Sequence, residues 1–300
     1  MTTASARTDS TDGKAVAGTN FVLTLSCPDR GGIVQAIANA LVETHCTISD
    51  SQQFGDPSTK AFFMRVAFSR ETDPIELSTL EAAITSHVAG FDMNWQLYDS
   101  AERHRIILMV SKQGHCLSDL LFRVHSGLLP VHVAAVVSNH TDFEDLTNWY
   151  GIPFHHVPVT KETKPHAEDE LRRLIKQYSA DTVVLARYMQ VLSNELCDDL
   201  AGRAINIHHS LLPSFKGARP YSQAYDRGVK VIGATAHYVT GDLDEGPIIE
   251  QDFIRVDHTR DPKELTAMGR DNEALALARA LKWHAERRVL LFGNRTIVFN

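Results

Sequence analysis

Asn206 and His208 stand two apart in Ala204-Ile205-Asn206-Ile207-His208-His209-Ser210-Leu211-Leu212-Pro213. Residues 204–208 read as a strand, so these two polar side chains share one face, and Ile205 and Ile207 share the other. A polar pair at the end of an apolar strand is costly to bury without partners. Histidine moves protons near neutrality, and an asparagine amide donates to a developing oxyanion without titrating. Two readings stand here: a proton-transfer and oxyanion pair, or two side chains that hydrogen-bond loop backbone. Asp244, in Asp242-Leu243-Asp244-Glu245-Gly246-Pro247, follows another apolar strand, residues 233–239. From a neighbouring strand end its carboxylate would orient His208 or act as the base for a water molecule. The alternative is a solvated acidic turn. His208, His209 and His237 raise a zinc reading, but strand neighbours face opposite ways unless the chain bends. No H-E-x-x-H or Cys/His spacing accompanies them, so no metal is expected. No cysteine lies in these segments to serve as a nucleophile.

Elements that would position such residues follow from the pattern around them. From residue 106 onward apolar strands alternate with helical stretches: strands at 106–110, 132–137, 182–186, 204–208 and 233–239, helices at 116–126, 168–178 and 261–288. A turn at Phe292-Gly293-Asn294-Arg295 leads to a last strand at 296–299. Buried strands separated by helices imply a Rossmann-like α/β domain, with a mostly parallel sheet and helices on both faces. Ligands of such sheets sit beyond the carboxyl ends of the strands. Residues 20–98 have another rhythm: strand at 21–25, helix from 33, a hairpin of 47–54 and 61–68 around Gly55-Asp56-Pro57-Ser58, helix at 74–87, strand at 91–98. That βαββαβ order is ferredoxin-like. The expected organisation is a disordered tail (1–19), a ferredoxin-like domain (20–99), a linker (100–104) and a catalytic α/β domain (105–300).

Composition narrows the function classes. The chain has 300 residues, 43% hydrophobic and 22% charged, with a formal charge of −7. That balance fits a soluble globular protein and argues against nucleic acid as the main partner. No stretch approaches the ~20 apolar residues of a membrane helix. Cys27, Cys46, Cys116 and Cys197 are scattered without a C-x-x-C pair, which fits a reducing, cytoplasmic setting. The polar first residues lack the apolar run of a signal peptide.

Taken together, three blocks resemble the folate-dependent formyltransferases. They are Asn206-Ile207-His208-His209-Ser210-Leu211-Leu212-Pro213-Ser214-Phe215, Gly233-Ala234-Thr235-Ala236-His237 and Leu243-Asp244-Glu245-Gly246-Pro247-Ile248-Ile249. They match the family's N-x-H-x-S-x-L-P, G-x-T-x-H and D-x-G-x-I in order. The resemblance implies a catalytic trio of Asn206, His208 and Asp244. Leu185-Ala186-Arg187-Tyr188-Met189-Gln190-Val191-Leu192-Ser193 resembles the loop that packs on the pterin. It implies folate contacts at Met189, Gln190, Val191 and Leu192, and in the segment Val239, Thr240, Gly241 and Asp242. The stretch Val110-Ser111-Lys112-Gln113-Gly114-His115 has one glycine, unlike the Gly-rich phosphate loop of the ribonucleotide transformylases.

Cys27-Pro28-Asp29-Arg30-Gly31-Gly32-Ile33-Val34 resembles the turn of ACT domains. An ACT domain ahead of a formyltransferase-like domain is similar to the formyltetrahydrofolate deformylase family. So are Gly217-Ala218-Arg219-Pro220-Tyr221, the second histidine His209, and Phe292-Gly293-Asn294-Arg295-Thr296. This resemblance implies cofactor-free hydrolysis of the folate substrate 10-formyltetrahydrofolate to tetrahydrofolate and formate, feeding one-carbon balance and purine synthesis. The alternatives are formyl transfer to a small amine and a non-catalytic amino-acid or folate sensor. The resemblance further implies a homo-oligomer with an amino-acid effector at Asp29, Gly31 and Gly32. Against that, Asp29 would simply cap the following helix and the glycines permit the turn.

Overall fold

The apolar stretch at residues 21–25 is the middle of a longer strand, β1 (Asn20–Pro28), in a computed structural model that describes residues 19–71, 73–213 and 220–300. The expected tail, apart from Thr19, lies outside the described residues, as do Ser214, Phe215, Gly217, Ala218 and Arg219. The chain divides into two units, residues 1–102 and 103–300.

In the first unit β1 is followed by α1 (Ile33–Glu43), β2 (Thr47–Asp56), β3 (Ala61–Ser69), α2 (Leu77–Val88) and β4 (Asn94–Asp99). The strands form an antiparallel sheet in the order β2-β3-β1-β4. Alternate residues Phe21, Leu23 and Leu25 of β1 pack with Ile33, Ile37 and Leu41 of α1 and Leu80 and Ile84 of α2. This is the expected ferredoxin-like arrangement, with two boundaries moved. The helix expected at 74–87 starts at Leu77, because Glu76 is extended (φ −67°, ψ 136°) as its N-cap. The strand expected from residue 91 starts at Asn94. Gly90 and Asp92 have φ of 85° and 50°, a left-handed backbone that breaks extension.

The second unit runs β5 (His104–Val110), α3 (His115–His125), β6 (Val131–Ser138), α4 (Glu144–Trp149), β7 (Phe154–His156), α5 (Lys164–Gln177), β8 (Thr182–Leu185), α6 (Asn194–Asp199), β9 (Ala204–His208), α7 (Pro220–Asp226), β10 (Val231–Tyr238), β11 (Ile248–Arg255), α8 (Pro262–Ala285), β12 (Val289–Phe292) and β13 (Arg295–Val298). His104, read as the end of the linker, is instead the first, buried residue of β5. The main sheet has the order β11-β10-β9-β8-β5-β6-β7. The five strands from β9 to β7 are parallel, and β10 and β11 are antiparallel. It is an α/β fold with a mostly parallel sheet. One face, carrying Ile106, Leu108, Val184, Ile205 and Ile207, packs against α3 and α8. The other, carrying Ile107, Met109, Val183, Leu185 and Ala204, packs against α5 and α6. The carboxyl ends of β5 and β8 meet where the strand order reverses, and a crevice opens at such a switch point.

Candidate active site

Ile205 and Ile207 of β9 enter the α3/α8 core, so Asn206 and His208 face the opposite side with Ala204, as their spacing requires. Across the β9–β10 ladder His237 is the partner of Asn206 and Thr235 the partner of His208. The two imidazole rings, the Asn206 amide and the Thr235 hydroxyl therefore share one face. His208 is 5% exposed, and its Nδ1 lies 3.2 Å from Asp244 Oδ2. Its Nε2 is buried and has no hydrogen-bond partner among the described residues. His237 Nδ1 lies 2.9 Å from the Tyr238 carbonyl oxygen and Nε2 lies 3.2 Å from Asn206 Nδ2. The carbonyl can only accept, so Nδ1–H donates to it, while Nε2 faces both the Asn206 amide and, at 3.7 Å, Asp244 Oδ1. The Asn206 oxygen is thereby turned away from His237, and a second Nδ2 hydrogen is left for another acceptor.

Asp244 reaches His208 by a route that strand adjacency alone would not supply. β10 is antiparallel to β9, so its end at Tyr238 lies beside Ile205 and not beside His208. The chain must double back over the sheet face. It does so in residues 239–247, where Asp244 itself is left-handed at φ 58°. Gly246 makes the return possible, since a Cβ there would overlap the Tyr238 carbonyl oxygen. Burial pushes the Asp244 carboxyl up, but hydrogen bonds from His208 and then His237 outweigh it. The net pKa is well below the usual carboxylate range.

A cavity of about 260 Å³ lies against this cluster. Its walls bring together every residue expected at the reacting centre and the pterin: Asn206, His208, Asp244, Met189, Gln190, Val191, Leu192, Val239, Thr240, Gly241 and Asp242. Leu185 and Leu192 form its apolar floor, and Met189 and Val191 are more than half exposed beside it. Flat apolar walls with a few converging polar groups suit a heteroaromatic ligand. The 187–193 loop is pinned from both sides. The Met189 amide donates to Ser111 Oγ at 2.9 Å, and the Ser193 amide to Glu168 Oε1 at 2.8 Å.

Other side chains join the site that strand reading did not single out. His209 does not point away from His208. β9 ends at His208, the chain bends, and the two rings stack with centroids 4.8 Å apart. Arg187 and His209 both line the cavity, and Glu273 of α8 lies behind them. Glu273 carried one legible signal: a carboxylate on the helix face that also bears Gly269, Ala276 and Ala280, all buried. His115, Cys116 and Glu273 place their ligand atoms within 4.8 Å of one another. Arg187, 3.3 Å from that carboxylate, already supplies its counter-charge.

Asp29, Gly31 and Gly32 form an exposed turn before α1. Asp29 does not cap the helix. The N-cap is Gly32, left-handed at φ 94°, with no side-chain cap bond. The turn is held by Arg30, which donates to the Gly90 carbonyl and lies over the Phe91 ring.

Residues 104–281 match the family model described as formyl transferase. The chain is 54% identical over 277 residues to a formyltetrahydrofolate deformylase of Corynebacterium sp. (strain P-1), covering 92% of this chain and 97% of that protein. It is 46% identical to one of Bacillus subtilis (strain 168), covering 93% of each. A crystal structure of a formyltetrahydrofolate deformylase from Pseudomonas syringae pv. tomato superposes with a TM-score of 0.91 at 46% identity, covering 94% of this chain and 95% of that one.

Proposed function

The chain belongs to the formyltetrahydrofolate deformylase family, and we propose that it hydrolyses 10-formyltetrahydrofolate to tetrahydrofolate and formate at the Asn206–His208–Asp244 centre. One observation carries the mechanism: His208 engages Asp244 through Nδ1 and keeps Nε2 buried and, among the described residues, unpartnered. In this reading a water molecule adds to the formyl carbon, its proton passing toward the ionised Asp244. The oxyanion that forms is met by the free Nδ2 hydrogen of Asn206 and by His208. The oxyanion then collapses, the bond from carbon to N10 breaks and N10 takes a proton from His208. The proton held at Asp244 restores His208 across their 3.2 Å contact, and the formic acid released ionises to formate in solvent. A donor aimed at such an oxyanion lowers the barrier by about 3 kcal/mol. Water is the only co-reactant, so we propose that no metal or organic cofactor is used. Protein treated with a chelator and then dialysed should keep its full rate.

The test is formate release from 10-formyltetrahydrofolate with no amine present. Steady release that is lost in His208→Ala supports the assignment. Release only as formyl transfer to added amines would overturn it in favour of a transferase, and folate binding with neither reaction would leave a sensor.

We further read the first unit as an ACT domain, supported by its βαββαβ order and the Asp29–Gly32 turn. In this reading an amino acid binds at Asp29, Gly31 and Gly32, and the cytoplasmic enzyme is a homo-oligomer whose formate serves one-carbon balance and purine synthesis. Thermal-shift screening of the full chain against the common amino acids tests the effector, and sedimentation tests the assembly. A flat screen and a monomeric mass would remove both.

A further inference from the structure

Behind the catalytic histidines runs a chain of buried charge. Glu273 is 1% exposed and Arg187 8%, and their atoms Oε2 and Nε lie 3.3 Å apart. Charges this deep persist only when paired and hydrogen-bonded. His115 Nε2 lies 2.9 Å from Glu273 Oε2, and Tyr221 donates to Oε1 at 2.5 Å. Burial pushes the Glu273 carboxyl up, but the bond from His115, the Arg187 charge and the bond from Tyr221 together bring it below its usual range. Arg187 donates through Nε and Nη2 to Gln113 Oε1, at 3.2 and 3.0 Å. Its backbone is left-handed at φ 67°, an unfavourable state for a residue with a Cβ. The guanidinium is therefore aimed at some cost.

Its Nη1 lies 2.6 Å from His209 Nδ1. A guanidinium can only donate, so Nδ1 must present a lone pair. That is possible only for a neutral ring with its proton on Nε2. The same ring lies nearly parallel to His208, with centroids 4.8 Å apart and planes at 18°. During hydrolysis His208 faces the oxyanion and gives up a proton, so a second imidazolium stacked on it would oppose the charge it must carry. The ionisable groups reached from His209 include Arg187 and His208, then Asp244, His237 and Asp242 in the same cavity, and behind Arg187 Glu273, His115, Tyr221 and the Cys116 thiol, which burial pushes up.

We propose that Glu273, Arg187 and His209 form a positioning relay for the hydrolysis. Glu273 fixes Arg187, and Arg187 holds His209 neutral in the Nε2–H tautomer. The neutral ring is the flat support against which His208 keeps Nδ1 on Asp244 and Nε2 in the cavity. The relay rests on the hydrolytic reading above, but its tautomer does not.

Nitrogen-15 NMR of histidine-labelled protein tests the tautomer directly. The signal lost in His209→Gln should show an Nε2–H neutral ring from pH 6 to 8, and a ring protonated at Nδ1 would overturn the relay. In activity, His209→Gln should lower kcat about tenfold to a hundredfold with KM within about threefold. The charge-balanced double variant Arg187→Gln, Glu273→Gln frees His209 to titrate. Its kcat should gain an acid-side loss centred near the ordinary histidine value of about 6.5. Adding His209→Gln should remove that inflection. A double variant whose pH profile superposes on wild type overturns the relay, as does unchanged kcat in His209→Gln should the double variant fail to fold. Absence of formate release from wild type would defeat the hydrolytic reading alone and leave the NMR result to stand by itself.

Discussion

At the scale of single residues, the site rests on which atom of each side chain is already engaged. His208 Nδ1 is taken by Asp244, which leaves Nε2 without a partner among the described residues, the atom the proposed hydrolysis uses. Asp244→Asn replaces an acceptor-only group by an amide that can present either end to His208. Formate release should fall by on the order of 10²-fold or more, with the circular dichroism spectrum unchanged; a rate within threefold of wild type would remove Asp244 from the mechanism. Because the folded carboxyl is held below its usual range, it favours the folded state fully above the ordinary value of about 3.9 and loses that contribution only as pH falls lower. Loss of activity between pH 7 and 5 therefore does not come from Asp244. Asn206→Ala should cost about 10²–10³ in kcat, and an unchanged kcat would show that the oxyanion is held elsewhere.

At the scale of elements, the 239–247 loop decides whether Asp244 arrives. Gly246→Ala places a Cβ on the Tyr238 carbonyl oxygen, a clash with backbone that no side-chain rotation relieves. It should displace Asp244 and lower formate release about tenfold to a hundredfold, while the β10–β11 ladder and overall helicity persist. Wild-type kinetics in that variant would mean that the loop has another way round. The same loop marks the limit of what was legible. Period-two spacing put Asn206 and His208 on one face, and apolar runs located β5, β6, β8, β9 and β10. Nothing local told that β10 runs antiparallel, because parallel and antiparallel buried strands have the same apolar composition. β7 has three residues and β11 alternates with one exposed face, so neither gave a strong run. Arg187 and Glu273 could not be joined in advance, since their pairing depends on α8 packing across β9, β10 and β11. The bend after His208 is likewise a tertiary fact, and it turned His209 from an outward neighbour into a stacked one.

At the scale of the whole molecule, a second polar cluster in the catalytic unit predicts how its stability depends on pH. Thr182 Oγ1 lies 2.8 Å from both His104 Nε2 and His284 Nε2, and Tyr238 Oη lies 2.8 Å from His284 Nδ1. These contacts tie β5, β8, β10 and α8 together away from the cavity. Desolvation, then the Arg287 charge, lowers His104 to about 4 despite Asp181. Desolvation, then His104, lowers His284 to about 3. In the unfolded chain both titrate near 6.5. Between about pH 6.5 and 4 the unfolded state therefore binds protons that the folded state does not, and stability rises with pH. Each ring contributes at most about 1.4 kcal/mol per pH unit. Acidification from pH 6.5 to 5 should then remove up to about 4 kcal/mol from the two, a fall in Tm of up to about ten degrees for a unit of this size. His104→Gln keeps a partner for Thr182 but cannot titrate, so its Tm should fall about half as steeply over the same range. Equal slopes for the variant and wild type, measured by thermal unfolding at pH 8, 6.5 and 5, would show that the cluster is not what acid disrupts.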